Sequence, residues 1–426
     1  MMAENPIHSY LTKVMKEIKS HEARSYVSSE LSYHIIEAKN KWKDKGFSDE
    51  EAEEKAILQM GEPAKLGKSL NKIHKPKVDW YMLILVMGAL GLGFLPLFVL
   101  GDHISTVNLV ETKVISVLLG LIVIISFMLF DYRRLRKFGW VFYIIGTSLL
   151  VALQLFAGQF VNGSPIIPLG PFTIEGKLAL PFLFIAWASF YSSEKFKLWQ
   201  MVLLFVIPLY YYFTLPMIAT AYIYCVMVMV MLAWSTFPRK TTYKVWGAFI
   251  IVVLTLVSLS WTVMDYYQKR RFVSVFYTGD ADANYVLTLL KEQLLQAGWF
   301  GNPDAHYVPD PHTNFVFVSL TAHYGWLFGI MILLVLSLLV LRMVAIFRTV
   351  NEPFTKLLLA GAIGLIATQL ISNILMSVGV FPSTTMSLPF ISYGLMPIVL
   401  NGFIVGMVLS IYRRKHIISH YTRKVD

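Results

Sequence analysis

The chain has 426 residues, 56% of them hydrophobic and 15% charged, with a mean hydropathy of +0.60. That composition is too apolar for a soluble globular domain and makes lipid the expected solvent. The formal net charge of +11 is not a nucleic-acid footprint, because the N-terminal 78 residues are nearly balanced and the remaining positives cluster in short loops between apolar runs. The single cysteine, Cys225, excludes an intrachain disulfide and a cysteine-based zinc site.

Residues 1–74 read as a small helical domain, with 75–79 as a linker. Pro6 suits the first turn of a helix running to Lys19. Val27, Leu31, Ile35, Ala38 and Trp42 recur at spacings of three and four, one face of a second helix that Gly46 ends. Ser48 with Glu51 is a capping box, followed by Ala52, Ala56, Ile57 and Met60 on one face, with Gly61 and Pro63 as the stop. At this size the domain is expected to pack on a partner or on the membrane base. Glu30, Leu31 and His34, Lys45-Gly46-Phe47-Ser48, Glu51-Ala52, Ala56 and Gly61-Glu62-Pro63 resemble the HAAS-type helical modules at the N-termini of some bacterial membrane and regulatory proteins. The resemblance implies regulation or docking and nothing catalytic.

Beyond the polar segment His74–Asp79, runs long enough to span a hydrocarbon core of about 30 Å fall near residues 80–100, 112–130, 139–157, 176–192, 198–213, 216–235, 245–265, 314–342, 356–377 and 394–412. The expected fold is therefore all-α: a polytopic membrane protein of about ten transmembrane helices behind the helical domain. No secretory signal is read ahead of the first apolar run, so that run is expected to remain as an anchor. Arg133, Arg134, Arg136 and Lys137, Lys195 and Lys197, Arg239, Lys240 and Lys244, Arg342, Arg348 and Lys356, and the tail 416–426 with its preceding arginines alternate with connections poor in positives. The positive-inside rule then puts both termini in the cytoplasm of a bacterial inner-membrane protein. Tyr210, Tyr211 and Tyr212 read as an interfacial belt, and His323 as the clearest ionisable residue within a span.

One outer connection, about 48 residues over 266–313, is out of scale with the rest. Tyr285, Val286, Leu289, Leu290, Leu294 and Leu295 mark an amphipathic helix expected to lie on the outer surface. The turn Gly298-Trp299-Phe300-Gly301-Asn302-Pro303 and a polar cluster, Asp304, His306, Asp310, His312 and Asn314, follow. Long connections of this kind tend to be functional.

Two motifs become recognisable at this point. Tyr307-Val308-Pro309-Asp310-Pro311-His312-Thr313-Asn314-Phe315-Val316-Phe317, with Gly325 and Gly329, and later Leu388-Pro389-Phe390-Ile391-Ser392-Tyr393-Gly394, are similar to two signatures of the SEDS family, the FtsW/RodA/SpoVE proteins of division, elongation and sporulation. The resemblance covers about residues 80–415. It implies a glycosyltransferase that polymerises lipid II, an undecaprenyl-diphosphate-linked disaccharide peptide, beside a bitopic penicillin-binding-protein transpeptidase. The chemistry it implies is displacement at a sugar C1 by another sugar's 4-hydroxyl, with a carboxylate as general base and positive charge or a divalent cation such as Mg2+ at the diphosphate.

On the residue matches, the base position is Asn314, which cannot accept a proton at neutral pH. Asp310 and His312 are the neighbours that could substitute. Pro309, Thr313, Ser392 and Tyr393 are the candidate substrate contacts within the motifs. Glu175 and Lys177, a remnant of a longer family signature, are a further pair. Lys269, Arg270 and Arg271 suit a diphosphate or anionic membrane headgroups, with Arg270 the candidate substrate contact. His306 and His312 with Asp304 and Asp310 have the donor types for a metal, but solvated loop residues of these types are ordinarily surface groups, and no metal site is assigned. Asn162-Gly163-Ser164-Pro165-Ile166-Ile167, and Ala322 with His323, lack the family's polar residues. Three readings follow: a lipid II glycan polymerase, a weak or inactive homologue that binds lipid II or partner proteins and regulates wall synthesis, and a transporter of the lipid-linked precursor.

Overall fold

The computed structural model describes residues 6–99, 106–161, 164–169, 172–263, 281–302, 308–381 and 386–418. Two compact units divide it: Met1–Asp79 with Ile411–Asp426, and Trp80–Ser410.

In the first unit, helices α1 (Pro6–Glu17), α2 (His21–Lys43), α3 (Asp49–Met60) and α4 (Pro63–Ile73) follow one another. Their core is Tyr10, Val14, Leu31, Ile35, Ala38 and Ala56, so the periodic face expected of α2 does turn inward. The Ser48 hydroxyl accepts from Glu51 N and the Glu51 carboxylate accepts from Ser48 N, closing the capping box. Pro63 stops nothing. It occupies the first turn of α4, where its missing N–H is not needed and its fixed φ suits the helix. The Tyr10 hydroxyl donates to Gly61 O and ties this corner to α1.

The second unit is a helical membrane body. It comprises α5 (Trp80–Leu92), α6 (Leu95–Val99), α7 (Thr106–Leu129), α8 (Gly139–Phe156), α9 (Ala179–Tyr191), α10 (Leu198–Thr214), α11 (Ile218–Leu232), α12 (Arg239–Val263), α13 (Ala281–Gln296), α14 (Val316–Tyr324), α15 (Trp326–Phe347), α16 (Pro353–Ser377) and, as far as Ser410, α17 (Leu395–Ile418). Among the described residues, six helical stretches are long and apolar enough to cross a membrane, and Gly176–Tyr191, Leu198–Thr214 and Ile218–Leu232 are shorter apolar helices.

Helix α9 lies inside, packed on α8, α11 and α16. Its Trp187 indole donates to the Tyr224 hydroxyl, satisfying a polar group that hydrocarbon would not. Between α16 and α17, Gln369 and Asn401 exchange reciprocal amide hydrogen bonds of 3.1 and 3.3 Å, the polar pairing expected where helices meet out of water. Tyr212 departs from the belt expected of its neighbours: it is buried and its hydroxyl donates to Gly176 O, while Tyr210 stays exposed.

Three local features differ from the sequence expectation. The connection after α8 contains a three-stranded antiparallel sheet, β1 (Gln159–Val161), β2 (Ser164–Leu169) and β3 (Phe172–Glu175), within an otherwise helical fold. The register pairs Val161 with Ser164 across two residues, a hairpin spacing. The expected helix over 314–342 is broken at Gly325, whose φ of +90° ends α14 and starts α15. Helix α13 has its amphipathic face, but it is Leu287, Leu290, Gln293 and Leu294 that are buried, with Tyr285 and Leu295 exposed. That face packs on α14 and α16, and the Trp326 indole donates to Leu294 O. A helix expected to lie flat on the outer surface is therefore part of the protein's own packing.

Candidate functional site

The segment 308–315 enters α14 as a tight turn. Asp310 has φ +45°, a left-handed conformation that aspartate tolerates better than most residues, and its carbonyl accepts from Thr313 N and Phe315 N. The turn brings the Asn314 amide onto the Asp310 carboxylate, Nδ2 to Oδ2 at 3.1 Å. Asn314 thus donates to the acid beside it, and the residue at the motif's base position and one neighbour that could substitute for it stand in one hydrogen-bonded pair.

The second motif folds against the first. The Tyr393 N–H donates to His312 O at 2.7 Å. The buried Ser392 hydroxyl donates to Thr313 O at 2.6 Å and accepts from Leu388 N at 2.8 Å. The Tyr393 and His312 rings meet edge to face at 5.3 Å. Five residues expected at the substrate, His312, Thr313, Asn314, Ser392 and Tyr393, are therefore one structural unit. Within it, Ser392 works inward: its hydroxyl is committed to two backbone groups rather than presented to a ligand.

His312 is half-buried, and its Nδ1 is buried with no hydrogen-bond partner among the described residues. Burial lowers its pKa below the ordinary histidine value, against a smaller opposing pull from Asp310. The imidazole is thus held neutral near pH 7, with a lone pair free to accept a proton. Pro309 lies beside the Asp310 turn and is partly exposed.

Two residues not singled out in the sequence complete the unit. Asn373, fully buried on α16, donates from Nδ2 to Asn314 O at 2.9 Å and to Met386 O at 2.7 Å, while its Oδ1 is buried without a partner among the described residues. Lys113 on α7 is fully buried and donates to Ile391 O and Ser392 O, each at 3.1 Å. Each carried a signal, being a polar or ionisable side chain inside an apolar helix. The expectation that His323 was the clearest such residue overlooked Lys113.

Glu175 ends β3, and Lys177 sits in the 3-10 turn before α9. No hydrogen bond or ion pair among the described residues joins either to the unit formed by the two motifs. Lys177 instead borders an apolar cavity of about 250 Å3 with Phe127, Phe142, Pro181, Val399 and Phe403. Arg270, with Lys269 and Arg271, lies outside the described residues, as do Asp304 and His306. Among the described residues no three His, Cys, Asp or Glu side chains gather as metal ligands, so Asp310 and His312 do not by themselves make a cage for a divalent cation.

The sequence profile of the FtsW/RodA/SpoVE family, described as a cell cycle protein, matches residues 79–417. The chain belongs to this family. It is 28% identical over 302 residues to a probable peptidoglycan glycosyltransferase FtsW of Halomonas elongata, covering 63% of this chain and 72% of that protein. It is 23% identical over 369 residues to the peptidoglycan glycosyltransferase MrdB of Escherichia coli K12, covering 82% and 96%. The match spans less than half the length of some FtsW relatives, 32% of that from Thiomicrospira cyclica at 34% identity over 28% of this chain. Among solved structures, a chain described under the coordination of polymerization and crosslinking by a peptidoglycan synthase complex superposes with a TM-score of 0.69 at 22% identity, covering 79% of this chain and 98% of that one. RodA of Thermus thermophilus superposes at 0.60 and 20% identity, covering 79% and 97%. At these identities the likeness to the solved structures is one of fold; the chain is a largely helical, multi-pass bacterial membrane protein.

Proposed function

We propose that this membrane protein acts in peptidoglycan assembly, holding lipid II at the segment 309–314 as a glycan polymerase of the FtsW/RodA/SpoVE kind. The observation that carries the reading is the union of the two family motifs, from the Tyr393–His312 backbone bond to the Ser392–Thr313 bond, in a chain that matches the family over residues 79–417. In the reaction, a sugar 4-hydroxyl attacks C1 of the neighbouring sugar, the C1–O bond to the diphosphate breaks, and the hydroxyl proton passes to a base. Here the base falls to Asp310 or the neutral His312, because an amide at 314 can hydrogen-bond a hydroxyl but not deprotonate it.

That geometry also supports a second reading, a weak or inactive homologue that binds lipid II and regulates synthesis. The Asn314 amide occupies the Asp310 carboxylate, which leaves the acid less available, and loss of a general base costs about 10²- to 10⁴-fold in rate. The proposed membrane arrangement is ten spans, the six long stretches and three shorter apolar helices joined by α12, with both termini and the N-terminal domain in the cytoplasm. The proposed partner is a bitopic penicillin-binding protein.

Purified full-length protein in lipid nanodiscs, supplied with labelled lipid II, tests the function. Glycan polymer on a gel supports the polymerase. Saturable binding without polymer supports the regulator, and absence of both removes lipid II from the account.

A further inference from the structure

Lys113 stands outside the two motifs yet holds one of them. Its Nζ donates to the consecutive carbonyls of Ile391 and Ser392, and no carboxylate among the described residues lies within ion-pair distance of it. Space for the ammonium comes from a third element. A Cβ on Gly93, between α5 and α6, would lie 2.9 Å from Nζ and 2.9 Å from Ile391 O, so only a bare backbone lets the cation and the turn meet there. An ammonium is costly in an apolar interior, and it is retained where several carbonyl dipoles converge on it.

The turn it grips needs holding. Phe390 has φ +64°, a conformation that a bulky side chain adopts only where its surroundings impose it. The two residues whose carbonyls Lys113 binds lead directly into the site: Ser392 reaches Thr313 through its hydroxyl, and Tyr393 reaches His312 through its N–H. We infer that Lys113 is a positioning residue, whose ammonium pins the turn 388–394 and through it sets His312, Thr313 and Asn314 in register for a lipid-linked sugar diphosphate. The inference rests on the proposed reading of 309–314 as the substrate segment, but the mechanical coupling can be measured without any substrate.

Hydrogen–deuterium exchange on the full-length protein in nanodiscs makes that measurement. Lys113→Met removes the donors at similar length, and Gly93→Ala keeps the charge but pushes it from its seat. Each should raise exchange about tenfold in peptides covering both 388–394 and 308–315, with α9 and α11 unchanged. Lipid II affinity should fall about tenfold in Lys113→Met. Combined with Ser392→Ala, which cuts the link from the turn to Thr313, the loss should be smaller than the product of the two single losses, because both act through one path. A general loss of stability would not give that pattern. Unchanged exchange at 308–315 in Lys113→Met overturns the inference; if that variant fails to insert, unchanged exchange there in Gly93→Ala does so. Losses that multiply also overturn it, since Lys113 would then act apart from the turn. Should the wild type not bind lipid II while the exchange pattern appears as expected, the proposed function falls and the positioning role stands.

Discussion

The Asn314 amide donates a hydrogen bond to Asp310 and cannot take up a proton, so on the proposed reading the chemistry at this position turns on one functional group. Asn314→Asp hardly changes volume and restores a carboxylate. On an otherwise competent scaffold it should raise lipid II polymerisation by about 10²-fold, the lower end of a general-base contribution, read as glycan on a gel. If the wild type polymerises robustly, Asp310→Ala with His312→Ala abolishes it, and Asn314→Asp adds nothing, then the base has moved to the neighbouring residues. His312 makes a separate prediction. Its folded pKa is depressed by burial, so the stability it contributes is complete above the unfolded value of about 6.5 and is lost as pH falls through the folded pKa, where a charge must enter a buried seat. Carbon-13-labelled His312, followed by NMR, should titrate below about 6.5. A midpoint above that would mean that the Asp310 charge outweighs burial.

Elements position these residues through close backbone approach. The loop Gly298–Gly301 lies on the end of α14, with Asn302 N bonded to Ala322 O and Trp326 N to Gly298 O. A Cβ on Gly325 would sit 2.3 Å from Trp299 O, at a φ of +90°. Gly325→Ala should therefore destabilise the protein by about 2 kcal/mol or more, seen as a lower unfolding temperature in detergent. Gly88→Ala, where the added methyl meets nothing within 4 Å, should be neutral or stabilising by about 0.5–1 kcal/mol. If both lower the temperature equally, the packing account of Gly325 fails. These elements also show what the sequence could convey. Ser48 and Glu51 declared a helix start, and Leu31, Ile35 and Ala38 declared a buried face, because capping and periodicity are local. Pro63 was ambiguous, since the same residue ends one helix and opens another. Gly325 read as part of one long apolar run because its turn depends on Trp299, a distant contact. The sheet after α8 carried the hairpin dipeptide Asn162-Gly163, a signal overshadowed by the length of the flanking apolar helices. The site motifs were legible by resemblance, whereas Lys113 and Asn373 needed the three-dimensional fold to bring them to the turn.

For the whole molecule, the distribution of Lys and Arg predicts an outer face at 266–313. A cysteine at Asn302, in a protein with Cys225 replaced and function retained, should react with an impermeant reagent added to intact cells; protection would reverse the orientation. The N-terminal unit has its own core and none of the motif residues, so deletion of 1–74 should leave membrane insertion and lipid II affinity within about twofold, and a larger loss of affinity in a folded membrane body would make that unit part of the substrate site. The reach of Lys113 has a consequence in time. Its partner Ser392 lies 279 residues later in the chain, an interval that a ribosome working at about 5–20 residues per second crosses in roughly 15–55 s. Until then the nascent protein has a lysine awaiting its carbonyls and, on the proposed reading, no place yet for a sugar. A chain arrested before Leu388 should insert and yet fail to retain lipid II, so that competence arrives with the last helix and unfinished copies stay silent.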